Sequence, residues 1–236
     1  MSAITNQPLD AIAVIWFFML VAGYRLIAEW SPLERRSIVA AVQKHRVTWM
    51  LNMAQRENRM LDGLLLGHLT HGNAFFASTS VIAVGGLAAL MGSGEKLQVM
   101  LERLPFVATA PTWIWETKIL LMMGIFIYAF FKFAWAFRLA HYTAIMIGSA
   151  PIATEGNVPE CGLHAERTAN LIGIAADHTN AGIRSLYFAI AALAWFFHPL
   201  ALIAATTWVI VILTRRDFFS HSLHVISGST TNGERG

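Results

Sequence analysis

Cysteine occurs once, at Cys161, which excludes an intramolecular disulfide and any zinc or iron–sulfur site built on cysteine pairs. Charge is scarce as well. Asp, Glu, Lys and Arg make up 13% of the 236 residues where soluble domains carry about 25%, and the hydrophobic share is 56% against about 45–50%. The 17 Lys and Arg barely outnumber the 14 Asp and Glu and form no basic patch interleaved with aromatic residues, so no nucleic-acid partner is expected. Between Gly63 and Gly94, and again between Ser185 and Thr214, there is no charged residue at all. A helix with one face in water does not tolerate such a gap.

What is present is four long apolar stretches, Ala11–Trp30, Asn73–Gly92, Thr112–Arg138 and Ser185–Thr214. Each reaches the ~20 residues that a helix rising ~1.5 Å per residue needs to cross a ~30 Å hydrocarbon core. The expected fold is all-α, a polytopic helical bundle of four transmembrane helices in one domain over residues 1–226, with a disordered Gly/Ser/Thr-rich tail at 227–236. The first stretch lacks a basic leader and a small-residue cleavage site, so it reads as a retained span. The connection after it opens with Ser31-Pro32-Leu33-Glu34, a capping pattern, and continues with Ile38, Val42, Trp49, Met53, Met60 and Leu64 along one side of a single long amphipathic helix. Asn157-Val158-Pro159-Glu160 repeats that signal ahead of the last stretch. Two long cytoplasmic helical extensions are therefore expected. Lys and Arg concentrate in the first and third connections, which puts both termini outside the cytoplasm. Arg215 and Arg216, after the last stretch, oppose that orientation.

Phe131-Lys132-Phe133-Ala134-Trp135-Ala136-Phe137-Arg138, followed by Ile147-Gly148-Ser149-Ala150-Pro151, resembles the bacterial family catalogued as domain of unknown function 599. Phe75-Phe76-Ala77-Ser78-Thr79 and Gly182-Ile183-Arg184-Ser185-Leu186-Tyr187-Phe188-Ala189, leading into Trp195-Phe196, carry the same resemblance, which covers roughly residues 10–225. It implies a small multi-pass protein of a bacterial inner membrane. It brings no catalytic residues and no cofactor.

The candidate sites are polar residues sharing helix faces. Lys132, Trp135, Arg138 and Tyr142 recur at helical spacing, as an anionic lipid or solute would require. Snorkelling of the two cations beside an aromatic belt is the plainer alternative. Asn170, Asp177, Asn180 and Arg184 form a second face, either a structural polar network or a binding or gating site. His198-Pro199 reads as a kink at mid-span with a polar pocket beside Trp195, though a neutral His bonded to a carbonyl fits the same residues. His68/His71 and His221/His224 offer two imidazoles each, too few for a haem or metal site. Glu116 and Lys118 read as interface anchors, and Cys161 as a loop residue. Gly63-x-x-x-Gly67 and Gly85-Gly86 permit close helix approach, so a homo-oligomer is expected. The functional expectation is binding or transport of an anionic lipid or small solute. The alternatives are an accessory protein docking a partner through the Trp49, Met53 and Met60 stripe, and a His-ligated enzyme.

Overall fold

The computed structural model describes residues 3–30, 37–92, 98–99 and 110–228. Among these there is no strand, and four helices are long and apolar enough to cross a membrane: Pro8–Ile27, Met60–Gly92, Thr112–Gly148 and Pro199–Ser227. The α-helices are α1 (Ala3–Trp30), α2 (Ile38–Ala54), α3 (Met60–Gly92), α4 (Thr112–Gly148), α5 (Val158–Leu193), α6 (Pro199–Phe218) and α7 (His221–Ser227), with a 3-10 turn at Ala194–Phe196 between α5 and α6. Where the sequence suggests one domain, contacts group the chain into two compact units. Unit 1 holds Met1–Trp30, Phe76–Phe131 and Ala181–Leu213; unit 2 holds Ser31–Phe75, Lys132–Asn180 and Thr214–Gly236.

Unit 1 is built on small and aromatic residues. Ala13, Phe17, Tyr24, Met122, Phe188, Ala192, Trp195 and Leu202 form its core, with alanines letting helices approach where bulkier residues would hold them apart. Three contacts fix helix direction. Trp195 meets Asp10, Phe188 meets Phe17 and Arg184 meets Tyr24, so α5 runs antiparallel to α1. Thr207 accepts from the Trp16 indole at 3.2 Å, which sends α6 back along α1.

The uncharged run Ser185–Thr214 is thus not one span. It is the end of α5, a turn, and a returning helix whose first residue is Pro199. Proline has no N–H to lose at a helix start and its φ is already helical, so the chain reverses there rather than kinking at mid-span. His198 sits just before it as the cap, its Nδ1 accepting the Leu200 N–H at 3.1 Å, and its carbonyl accepting from Ala201 at 3.0 Å. Hydropathy alone does not separate this from a continuous helix because neither arm carries a charge.

Unit 2 has its own core of Met50, Met53, Leu66, Ile147, Cys161, Ala165, Ala169 and Ile172. The expected single long helix is two, α2 and α3, separated at 55–59. Asp62, in the first turn of α3, closes that corner by accepting from the Trp49 indole at 2.7 Å and from Arg56 at 2.9 Å. Arg59 donates to the carbonyls of Ala150 and Pro151, just beyond α4. The cap of α2 is Ser37, whose hydroxyl accepts from the Ala40 N–H at 3.3 Å. The Ser31-Pro32-Leu33-Glu34 pattern lies outside the described residues, as does the tail from 229. Cys161 is buried in the first turn of α5, not in a loop.

Candidate functional site

A cavity of about 350 Å³ lies within unit 1 among α1, α4 and α5, a size at which small-molecule sites begin. Its walls are Phe17, Phe18, Val21, Leu120, Leu121, Ile125 and Phe188. Two guanidinium groups stand at one end of it. Arg25 lies over the Tyr128 ring at 5.2 Å and Arg184 over the Tyr24 ring at 5.4 Å; these contacts hold two long side chains in place by cation–π attraction. Ser185, whose hydroxyl donates to Ala181 O at 2.8 Å, completes the polar end. Phe18, Leu120 and Gly124 are exposed, so the cavity is open along that flank. A Cβ at Gly124 would meet nothing within 4 Å; the missing side chain is part of the empty space.

The opposite end of unit 1 is held by a buried charged cluster. The Lys118 side chain is 1% exposed, its ammonium 4.9 Å from the Trp115 ring centroid and 5.5 Å from that of Trp195. Asp10, also buried, attracts Lys118 electrostatically and accepts the Trp195 indole N–H at 2.6 Å. Trp115 Nε1 has no partner among the described residues. Lys118 is therefore no interface anchor. Its partner Asp10 is more than a hundred residues away in the chain, and no spacing rule connects them.

In unit 2 the expected face on α4 is present. Arg138 donates to the Tyr142 hydroxyl at 3.1 Å and lies over its ring. Trp135, exposed, makes an edge contact with His178 at 6.5 Å; Lys132 is half-buried one turn earlier. The second face is divided. Asn170 accepts from Gln43 at 3.3 Å, Asp177 acts on Arg46, Asn180 lines a cavity of unit 2 and Arg184 lines the cavity of unit 1. Burial among α2, α3 and α5 pushes the Arg46 guanidinium below its usual pKa, and Asp177 partly opposes that shift. His198 belongs to the helix turn described above. His68, His71, His221 and His224 all fall in unit 2, and among the described residues no three His, Cys, Asp or Glu side chains gather as a metal site requires.

The docking stripe is partly closed by the protein itself. Met53 is 0% exposed in the unit 2 core and Trp49 is half-buried against Asp62, while Met60 is exposed at the start of α3 beside exposed Leu61, Leu64 and Leu65.

The sequence matches the model of a family described as protein of unknown function, DUF599, over residues 12–222. No curated protein and no solved structure matches it.

Proposed function

The chain belongs to the DUF599 family of unknown function, and we propose that it is an integral membrane protein that binds an anionic amphiphile in the cavity of unit 1. The observation that carries this is the pairing, in one cavity, of an apolar trough with Arg25 and Arg184 at a single end. Such a site fits a ligand with one acyl-like arm and an anionic head. The arm lies along Phe17, Phe18, Leu120 and Leu121; the head meets two guanidinium forks, which suit phosphate or carboxylate oxygens. The open flank at Gly124 gives entry from the surrounding acyl chains. Transport of that amphiphile, with α1 and α4 parting at the flank, is the fuller form of the same reading.

The membrane we propose is the bacterial inner membrane, with an orientation that differs from the one expected from the sequence and is supported by the helix directions. With α5 and α6 running in opposite directions, residues 181–197, apolar apart from Arg184, make a further, short passage, at the lower end of the ~17–25 residues a crossing takes. The amino terminus then lies outside the cytoplasm and the carboxy terminus inside. Of the 17 Lys and Arg, only Lys96, Arg103 and Lys118 belong to the outer end of the chain path. Arg215 and Arg216 now follow the positive-inside rule rather than oppose it, and Arg25 and Arg184 stand at the cytoplasmic leaflet, where anionic head groups are enriched. The homo-oligomer is proposed through α3, which leaves Gly63, Gly67, Gly85 and Gly86 with open space around them.

Native mass spectrometry of the protein released from membranes tests the binding. Wild type is expected to retain anionic lipid. Arg184→Gln removes charge-assisted hydrogen bonds and should weaken retention by about 1.5–3 kcal/mol, roughly tenfold to a hundredfold. Gly124→Leu fills the trough and should abolish retention without loss of fold. Equal lipid retention by all three proteins would overturn the reading, and the same spectra give the mass of the assembly.

A further inference from the structure

Unit 2 contains a second cavity of different chemistry. It measures about 160 Å³ and lies among α2, α3, α4 and α5, room for about five waters at ~30 Å³ each. Its lining is mixed: Arg46, Asn180, Asn73 and three threonines are polar, and Leu66, Leu69, Ile172 and three alanines are apolar.

The guanidinium of Arg46 is held rather than free to swing. Its Nη1 donates to Gln43 Oε1 at 3.1 Å, and Gln43 is itself fixed by donating from Nε2 to Ala169 O at 3.2 Å and to Asn170 Oδ1 at 3.3 Å. Gly173 makes that arrangement possible, since a Cβ there would stand 2.6 Å from Gln43 Oε1. Three residues of α5 thus aim one cation of α2. Among the described residues the only hydrogen bond this guanidinium makes is to a neutral amide, and Asp177 reaches it electrostatically without a direct ion pair. A half-buried cation in that position is under-compensated, because buried charges are ordinarily paired. Two amide side chains, Asn73 and Asn180, face the same space. Asn73 is almost fully buried, and its Oδ1 already accepts from Thr179 at 2.9 Å, which turns its amide toward donation.

We propose that this cavity is a binding site for a short-chain monocarboxylate. The carboxylate takes the open side of the Arg46 fork in the planar, two-oxygen geometry that guanidinium favours. The alkyl group lies against Leu66, Leu69 and Ile172. Charge and volume set the class. Arg46 is the one charged residue among those lining the cavity, which suits a single negative charge better than a phosphate dianion, and at about 160 Å³ the cavity excludes a fatty acyl chain of the kind that suits unit 1. The two sites are lined by separate residues, so one proposal can fail while the other stands.

The test is calorimetric titration of the full-length protein in detergent with butyrate, with butylammonium and inorganic phosphate as controls. Saturable butyrate binding without binding of either control is expected. Arg46→Gln should weaken it at least tenfold, Gly173→Ala should weaken it by displacing Gln43, and Gly124→Leu should leave it unchanged. Absence of saturable butyrate binding by wild type overturns the proposal. So does a folded Arg46→Gln protein with wild-type affinity, or, if that variant does not fold, a Gly173→Ala protein with wild-type affinity. Tighter binding of phosphate than of butyrate also counts against it.

Discussion

Asp10→Ala is expected to destabilise the protein by about 3–5 kcal/mol, the usual cost of leaving a buried charge without its counter-charge. The substitution leaves the Lys118 ammonium, 1% exposed, without its counter-charge, and it leaves the Trp195 indole N–H, now 2.6 Å from the carboxylate, without an acceptor. Both losses occur where α1, α4 and the turn between α5 and α6 come together, so they act on one cooperative unit. Thermal unfolding in detergent measures this. The double variant Asp10→Asn Lys118→Met should recover most of the loss, because it removes both charges while the asparagine oxygen still accepts from Trp195. A single variant as stable as wild type would mean that the charges are solvated and the cluster is not a lock.

The second large effect is a change of side. A reporter active only in the cytoplasm, fused after Ser227, should be fully active, and one active only outside the cytoplasm should be silent at that position. The reverse is expected for fusions between α3 and α4. The argument rests on the reversal at residues 194–199. If Ser185–Thr214 crossed once, as its hydropathy suggests, the carboxy terminus would return to the outside. With α5 antiparallel to α1 and α6 parallel to it, the proposed topology has an odd number of passages. An active extracytoplasmic reporter after Ser227 would refute the proposed topology.

These two cases show what could be read from the residues. The all-α class and the four apolar stretches follow from hydropathy and length, which are local. The start of α5 near Val158 follows from a capping signal, also local. Pro199 was visible too, but its meaning depends on whether the helix continues beyond it, and an uncharged flank on both sides gives no sign of a turn. The long amphipathic helix fails for a related reason. Met53 and Met60 keep helical spacing across residues 55–59, yet Asp62 binds Trp49 and Arg56 and breaks the helix there.

The site was legible only in part. In the sequence Arg184 reads as part of a polar face on a single helix, whereas its neighbours in the cavity, Arg25 and Tyr128, come from α1 and α4. Tyrosine rings supporting each guanidinium give no signal in sequence, because their separations, 103 and 160 residues, have no period. Lys132, Trp135, Arg138 and Tyr142 do share a helix face, and Arg138 is engaged by Tyr142 on that same helix. In the sequence Arg46 is one of several positive charges in the first connection, with no motif around it. Its position depends on Gln43 meeting Gly173, a contact across 130 residues.

The central claim is tested most directly by photo-crosslinking with an anionic lipid that carries a diazirine on its acyl chain, incorporated into membranes containing the protein. The account predicts that labelled peptides fall within residues 17–25, 120–128 and 181–188, and that Gly124→Leu removes that labelling while leaving general labelling of the other apolar helices intact. Labelling spread evenly over all lipid-facing helices, and unchanged by Gly124→Leu, would contradict it.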